Sequence, residues 1–337
     1  MINIRFIDKV EYKNFWDKNN LHILQSIEWG MVKLTEGWEC KTLGVYEGEM
    51  LLDVLSVQIK RLNLIKFGYV PKTKLNKHFS ELEDFFKKEL GLAFVIFEFD
   101  YLKENQFPTD SILFNYNDHI QPEQTNTVKL HKSEDELFMN LKGNYRRNVK
   151  KGVNEGLVIK TYTDGNEPLD RFYQVLKEVS KNTKFLSRPK NYFLNVWNML
   201  SKSGKAIIIT AEIGTEILGS YFIVFDNLNS YELYGGVTIK GRDNEAGYVL
   251  KWEAIKYFNT LGKNFYDNWG VSKRNPDGTY AMDELHNISS FKEGFGGEYI
   301  EFMPAKVMII DKSKYRLFNL LKKGSKAVTK IKKTMKF

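Results

Sequence analysis

Lys292 lies in the run Phe291-Lys292-Glu293-Gly294-Phe295-Gly296-Gly297, an ammonium between aromatic neighbours with glycines close behind. Glycines, lacking a Cβ, let a substrate approach the backbone beside such an ammonium. The plainer reading has the ammonium lying over Phe291 or Phe295 as a cation–π contact. A carboxylate able to receive a proton stands at Asp100, where Phe97-Glu98-Phe99-Asp100 reads as a strand end, a position that turn caps also occupy. Two cationic groupings suit phosphate. Lys142, Arg146 and Lys150 recur at i, i+4 and i+8, with Arg147 and Lys151 widening the strip and no acid between Lys142 and Lys151. An ordinary charged helix face is the competing reading. Arg188 precedes a helix expected from Asn191, so its guanidinium adds to that helix's anion-binding end, a place for a diphosphate.

Other chemistries find no support. There is no Walker loop, dinucleotide fingerprint, zinc-protease helix or nucleophile elbow. His22, His78, His119, His131 and His286 show no ligand spacing, and the single cysteine, Cys40, rules out a disulfide framework or a multi-cysteine metal site. No metal and no cofactor are expected. With 42% hydrophobic and 14% aromatic residues, a chain of 337 residues can bury the cores of two domains. Its net charge of +8 is local: Lys312–Phe337 holds nine lysines and Arg316 without an acid, and the remainder carries 40 basic against 42 acidic side chains. That stretch reads as a footprint for a phosphate-bearing partner, RNA or an anionic membrane face, or as a solvated helix face. No apolar run approaches the roughly 20 residues of a membrane span. The amino terminus alternates like a strand and lacks the apolar core of a secretion signal. The expected location is cytoplasmic, with peripheral contact at the inner membrane face.

Two segments share one order of elements. Strands at Lys41–Glu47, Met50–Lys60 and Ile65–Val70 precede a helix over Asn76–Leu90 and a strand Ala93–Phe99 that ends at Asp100. Strands at Ala206–Ile213, Ile217–Asp226 and Ser230–Val237 precede a helix over Ala246–Leu261 and a strand Asn264–Tyr266 that ends at Asp267. The repeat predicts a duplicated α/β unit. Ser133 and Glu136 form a capping box, and Leu137, Leu141, Tyr145 and Val149 follow at the spacing of one long helix. The domain boundary falls near Lys132: residues 1–132 with 311–337 form the first domain and 133–310 the second. Pro108 and Pro122 bracket a loop region, and helices are expected from Glu167 to Lys184 and from Asn191 to Leu200. In the last helix Leu317, Leu321, Val328, Ile331 and Met335 approximate one face, which packing back on the first domain would cover.

The order of these motifs resembles the Fem family of non-ribosomal peptidyltransferases over nearly the whole chain. Gln25-Ser26-Ile27-Glu28-Trp29 with Lys33 and Gly37-Trp38 is similar to the family's amino-terminal signature, and implies that Lys33 contacts an acceptor phosphate. Arg188-Pro189-Lys190-Asn191-Tyr192 and Tyr234 in Leu233-Tyr234-Gly235-Gly236 resemble residues that grip a UDP-linked muropeptide. Asn144–Gly152 resembles a basic helix, implying tRNA or phosphate contacts at Arg146, Arg147 and Lys150. Lys292, and Asp100 with Tyr101 where the family often has proline, take the catalytic positions. The resemblance implies two tandem acetyltransferase-like (GNAT-like) domains with mixed sheets, the C-terminal helix returning to the first. It also implies transfer of an amino acid from aminoacyl-tRNA to the side-chain amine of a peptidoglycan precursor, UDP-MurNAc-pentapeptide or lipid II. An acyl-CoA-dependent N-acyltransferase is the alternative. Against it, Gly241–Gly247 lacks the glycine spacing of a pyrophosphate loop, and Asp243 and Glu245 would repel a diphosphate. A non-catalytic RNA- or membrane-binding protein driven by the lysine-rich tail would not need Lys33, Arg188, Tyr192, Tyr234 and Lys292 in this order.

Overall fold

The computed structural model describes residues 1–104, 112–182 and 188–334, and the chain divides into two compact units, Met1–His119 with Met303–Phe337, and Ile120–Phe302. The first unit opens with β1 (Ile2–Phe6), α1 (Lys9–Lys18) and α2 (Ile27–Thr35), followed by β2 (Glu39–Glu47), β3 (Met50–Leu62) and β4 (Ile65–Thr73). Helix α3 (Phe79–Lys88) carries the chain to β5 (Phe94–Phe99), and β6 (Leu113–Asn115) comes after. The second unit runs β7 (Gln124–Lys129), α4 (Glu134–Met139), α5 (Gly143–Asn154), β8 (Val158–Tyr162), α6 (Glu167–Asn182) and α7 (Lys190–Leu200). It continues through β9 (Ala206–Ile213), β10 (Glu216–Phe225), β11 (Asn229–Val237), α8 (Ile239–Asp243), α9 (Ala246–Thr260), β12 (Phe265–Gly270), α10 (His286–Glu293) and β13 (Glu298–Glu301). Strand β14 (Lys306–Ile309) and helix α11 (Lys312–Thr334) complete the first unit.

Each unit holds one seven-stranded sheet, in the orders β1-β2-β3-β4-β5-β14-β6 and β8-β9-β10-β11-β12-β7-β13. The two orders match position by position. In each, a parallel pair, β4–β5 or β11–β12, is joined by a crossing helix, α3 or α9, and the strand pairs on either side are antiparallel. The duplication legible in the sequence therefore extends to the sixth and seventh strands. A strand over Ala305–Ile310 is legible in the sequence and is β14, whereas β6, β7 and β13 are not. β7 and β13 are polar and lack a clean alternation, and β6 lies inside the segment read as a loop, where β14 recruits it by pairing. Pro108 lies outside the described residues.

The helix expected to run on from Ser133 is broken in two. Its capping box forms, but the Lys142 N–H donates to Gly294 O at 2.9 Å, and a new helix starts at Gly143. Leu137, Leu141, Tyr145 and Val149 are buried nonetheless, in one cluster with Val249, Leu250, Ile255 and Phe258 of α9. The opposite face of the second sheet is covered by α6 and α7 through Phe172, Phe193 and Trp197, which meet Phe222 or one another edge-on. Full burial of each such side chain contributes about 1.5–3 kcal/mol.

Helix α11 returns to the first unit, but not by the expected face. Phe318 packs on Phe94 and Phe67, and Tyr315 on Phe94, whereas Leu317 and Leu321 stay 46% and 39% exposed. Two aromatic residues on the other side of the helix bury more area than the leucine stripe and win the contact. Met335 lies outside the described residues.

Candidate active site

In the second unit the parallel strands β11 and β12 pair only from Asn229–Phe265 to Tyr231–Asp267 and then separate. Polar side chains fill the space that opens. Lys251 of α9, 1% exposed, donates to Glu232 Oε2 at 2.5 Å and Asn268 Oδ1 at 2.7 Å. Tyr266 donates to the same Glu232 oxygen at 2.5 Å, and Asn268 Nδ2 donates to Asn126 Oδ1 at 3.0 Å. A buried carboxylate and a buried ammonium are tolerable only when paired in this way. Burial pushes the Lys251 ammonium below the ordinary lysine range, against the pull of Glu232.

Lys292 lies beside this network, on the last turn of α10 and 6% exposed. Its ammonium donates to Gly270 O at 2.8 Å and approaches Trp269 O at 3.4 Å. Those carbonyls are presented by an unusual backbone: Trp269 has φ +62°, in the left-handed region, and its N–H donates to Asp267 Oδ1 at 2.6 Å while Thr125 Oγ1 donates to the same oxygen. Asp267 thus holds the turn that cradles Lys292. Burial first, and then the charge of Lys251, lower the Lys292 ammonium to about 8.

Two of the glycines behind Lys292 are required by packing within the protein itself. A Cβ at Gly294 would stand 2.0 Å from the Tyr145 ring, and one at Gly297 2.0 Å from Asn126 Oδ1. Phe291 and Phe295 join Tyr145 and Tyr248 in an aromatic cluster, and the Lys292 ammonium goes to carbonyls instead of a ring.

Arg188, Tyr192 and Tyr234 come together. The Tyr192 and Tyr234 hydroxyls are 2.7 Å apart, and the Arg188 guanidinium lies 4.6 Å over the Tyr192 ring. Helix α7 starts at Lys190 with Pro189 as its cap, and Lys190 bridges to Asp170 at 2.5 Å. Tyr234 reaches this group because β11 bulges at Leu233: Phe222 pairs with Tyr234 and Ile223 with Glu232. The extra residue sends Glu232 toward α9 and Tyr234 toward α7, on opposite faces of the sheet.

Lys33 and Asp100 belong to the first unit. Gln25 there donates to Pro71 O at 2.5 Å and accepts from Ser56 N at 2.8 Å, fastening the start of α2 to β4 and β3. Ser26 caps α2, and half-buried Lys33, on its last turn, lies 5.2 Å over the Trp29 ring. Asp100 follows β5 and donates its N–H to Thr73 O at 2.9 Å. Burial raises its carboxyl, against the charges of Lys72 and Lys74. On α5, Arg146 folds back to the carbonyls of Met139 and Leu141 at 2.9 and 2.5 Å, Lys142 meets Glu293 at 3.2 Å and Lys151 meets Glu245 at 3.0 Å. Arg147 and Lys150 point outward, with Lys150 5.7 Å over the Phe138 ring. Acids from distant segments thus compensate the two ends of the basic strip, Lys142 and Lys151. Among the described residues no group of His, Cys, Asp and Glu is placed to hold a metal ion.

Sequence reasoning missed Thr125, Asn126, Glu232, Lys251, Tyr266 and Asn268. Its one available signal was Lys251, a lysine set inside the apolar run Val249-Leu250-Lys251-Trp252.

Two sheets of one strand order, each with a helix-crossed parallel pair, define a tandem acetyltransferase-like protein, as the sequence implied. The chain belongs to the FemAB family, whose sequence profile matches residues 99–218 and 203–323. It is 20% identical to a lipid II:glycine glycyltransferase of Staphylococcus haemolyticus, over 94% of this chain and 95% of that one. It is 24% identical to aminoacyltransferase FemA of Staphylococcus epidermidis, over 46% of this chain and 37% of FemA. In fold it is similar to the crystal structure of FemX, with a TM-score of 0.81 at 17% identity, covering 94% of this chain and 99% of FemX. A tandem GNAT protein from the clavulanic acid biosynthesis pathway follows at 0.54 and 9% identity, over 92% of this chain and 99% of that one.

Proposed function

We propose that this FemAB-family aminoacyltransferase builds the peptidoglycan interpeptide bridge by moving an amino acid from aminoacyl-tRNA to the side-chain amine of a lipid II or UDP-MurNAc-pentapeptide acceptor. The observation that carries the reading is Lys292: a buried cation of lowered basicity, cradled by two carbonyls at the mouth of a splayed strand pair, in a chain of this family. An aminoacyl ester is already activated. The acceptor amine attacks its carbonyl carbon, a C–N bond forms, the C–O bond to the ribose breaks, and the ribose oxygen leaves with the proton shed by the amine. Such a reaction needs alignment and charge stabilisation, and no covalent intermediate on the protein.

In this reading Lys292 offsets the negative charge that develops on the carbonyl oxygen. Asp100, its carboxyl raised by burial, takes the proton from the attacking amine and passes it to the departing ribose oxygen. Lys33, Arg188, Tyr192 and Tyr234 hold the acceptor, with the guanidinium of Arg188 suited to a diphosphate. Arg147 and Lys150, the outward cations of α5, and Arg146 behind them contact tRNA phosphates. Acetyl-CoA fits less well, because Glu245 caps α9, paired to Lys151, and puts negative charge where a pyrophosphate would seek the helix N-terminus.

The test is incubation with mixed charged tRNAs and either UDP-MurNAc-pentapeptide or lipid II, read by mass spectrometry. A gain of one aminoacyl residue, abolished by ribonuclease, is expected. Acylation from coenzyme A thioesters without tRNA would overturn the reading.

A further inference from the structure

Helix α11 carries apolar residues on two opposite sides. At about 100° per residue, Tyr315, Phe318 and Lys322 fall on one side, and Leu317, Leu320 and Leu321 on the other. The first side is accounted for. The Phe318 ring lies 4.7 Å from that of Phe94 and 5.2 Å from that of Phe67, and Lys322 Nζ donates to Tyr116 OH at 2.9 Å and Asp118 Oδ2 at 2.8 Å. These contacts fix the beginning of α11 to the first unit's sheet. They leave Leu317, Leu320 and Leu321 facing solvent at 46, 66 and 39% exposure. In the sequence Val328 and Ile331 continue the leucine stripe at the same spacing.

Exposed Lys314, Arg316 and Lys323 flank that stripe, and no acid occurs from Lys312 to Phe337. A second apolar projection belongs to the same unit. The β3–β4 hairpin tip presents Leu62 at 40% and Leu64 at 83% exposure, between Arg61 and Lys66. The next residue, Ile65, is buried in the cluster that Tyr315 and Phe318 cover.

We propose that α11, with the β3–β4 tip, is a docking surface for an anionic phospholipid bilayer. Exposed leucines enter the boundary between headgroups and acyl chains while the flanking cations, reaching past them, meet lipid phosphates. The leucines decide the partner. A nucleic acid would take the same cations but leave three large apolar side chains in water. Docking needs no substrate, so it is measured apart from the transfer reaction and stands or falls without it.

The experiment is sedimentation of the full-length protein with vesicles of phosphatidylcholine alone or mixed with phosphatidylglycerol, across a salt series. Two variants accompany it, Leu320→Gln with Leu321→Gln, and Arg316→Gln with Lys323→Gln. All four positions are exposed, and circular dichroism verifies the fold. The native protein should sediment with anionic vesicles and not with neutral ones. The leucine variant should lose at least about tenfold in binding, and the cation variant should lose binding together with salt sensitivity. Absence of binding to anionic vesicles, or binding that the leucine variant leaves unchanged, would overturn the proposal. Binding of tRNA that depends on Arg316 and Lys323, without vesicle binding, would reassign the surface to nucleic acid.

Discussion

The hydroxyls of Tyr192 and Tyr234 lie 2.7 Å apart and join α7 to β11, with the Arg188 guanidinium over the Tyr192 ring. If this trio grips the acceptor, Tyr192→Phe and Tyr234→Phe each raise KM for the muropeptide, by about tenfold, with kcat nearly held. Because the hydroxyls share one hydrogen bond, the double variant should cost less than the product of the single effects. Steady-state kinetics on the four proteins checks this. Equal losses of melting temperature with KM unmoved would make the pair a purely structural link.

Lys292→Met should reduce turnover by at least about a hundredfold while leaving acceptor binding intact. Undiminished activity would remove the residue from the mechanism.

The Lys292 ammonium, lowered to about 8, is charged below that pH and neutral above it. Turnover that depends on its positive charge should therefore fall as pH rises through about 8. Folding runs the other way. The folded chain releases this proton before the unfolded chain does, so the group disfavours folding below about pH 8, and the penalty fades toward the ordinary lysine value of about 10.4. A rate profile that climbs through pH 8 would instead assign Lys292 the role of a base.

Lys251→Met should destabilise the fold by about 3–5 kcal/mol, because Glu232 is left buried without its cation. Adding Glu232→Gln should recover much of that loss. Chemical denaturation of the single and double variants reads the recovery, and additive losses would mean that the two side chains do not act as a pair.

Gly294→Ala places a Cβ against the Tyr145 ring and should cost about 1–3 kcal/mol, a loss relieved in part by Tyr145→Leu. A fully stable Gly294→Ala protein would show that this segment moves aside freely.

The amino-acid sequence by itself determined the duplicated unit. Hairpins marked by Gly48 and Gly214, and the amphipathic or apolar runs between them, are local patterns, and β9 has the bounds its apolar run predicts. Local spacing also fixed the capping box at Ser133 and the helix that places Tyr192. The tertiary structure decided whatever depends on a partner distant in the chain. Strands β6, β7 and β13 exist because a neighbour completes their hydrogen bonds, and α4 ends because Gly294 accepts from Lys142. The bulge at Leu233 reverses the faces of Glu232 and Tyr234, which strict alternation puts together. Lys251 reads as one more surface cation until Glu232 and Asn268 arrive from β11 and β12. On α11 two apolar stripes competed for one sheet, and the aromatic pair prevailed because flat rings cover more of Phe67 and Phe94 than leucines can. Periodicity is a property of a segment, whereas burial, pairing and charge compensation belong to the assembled fold.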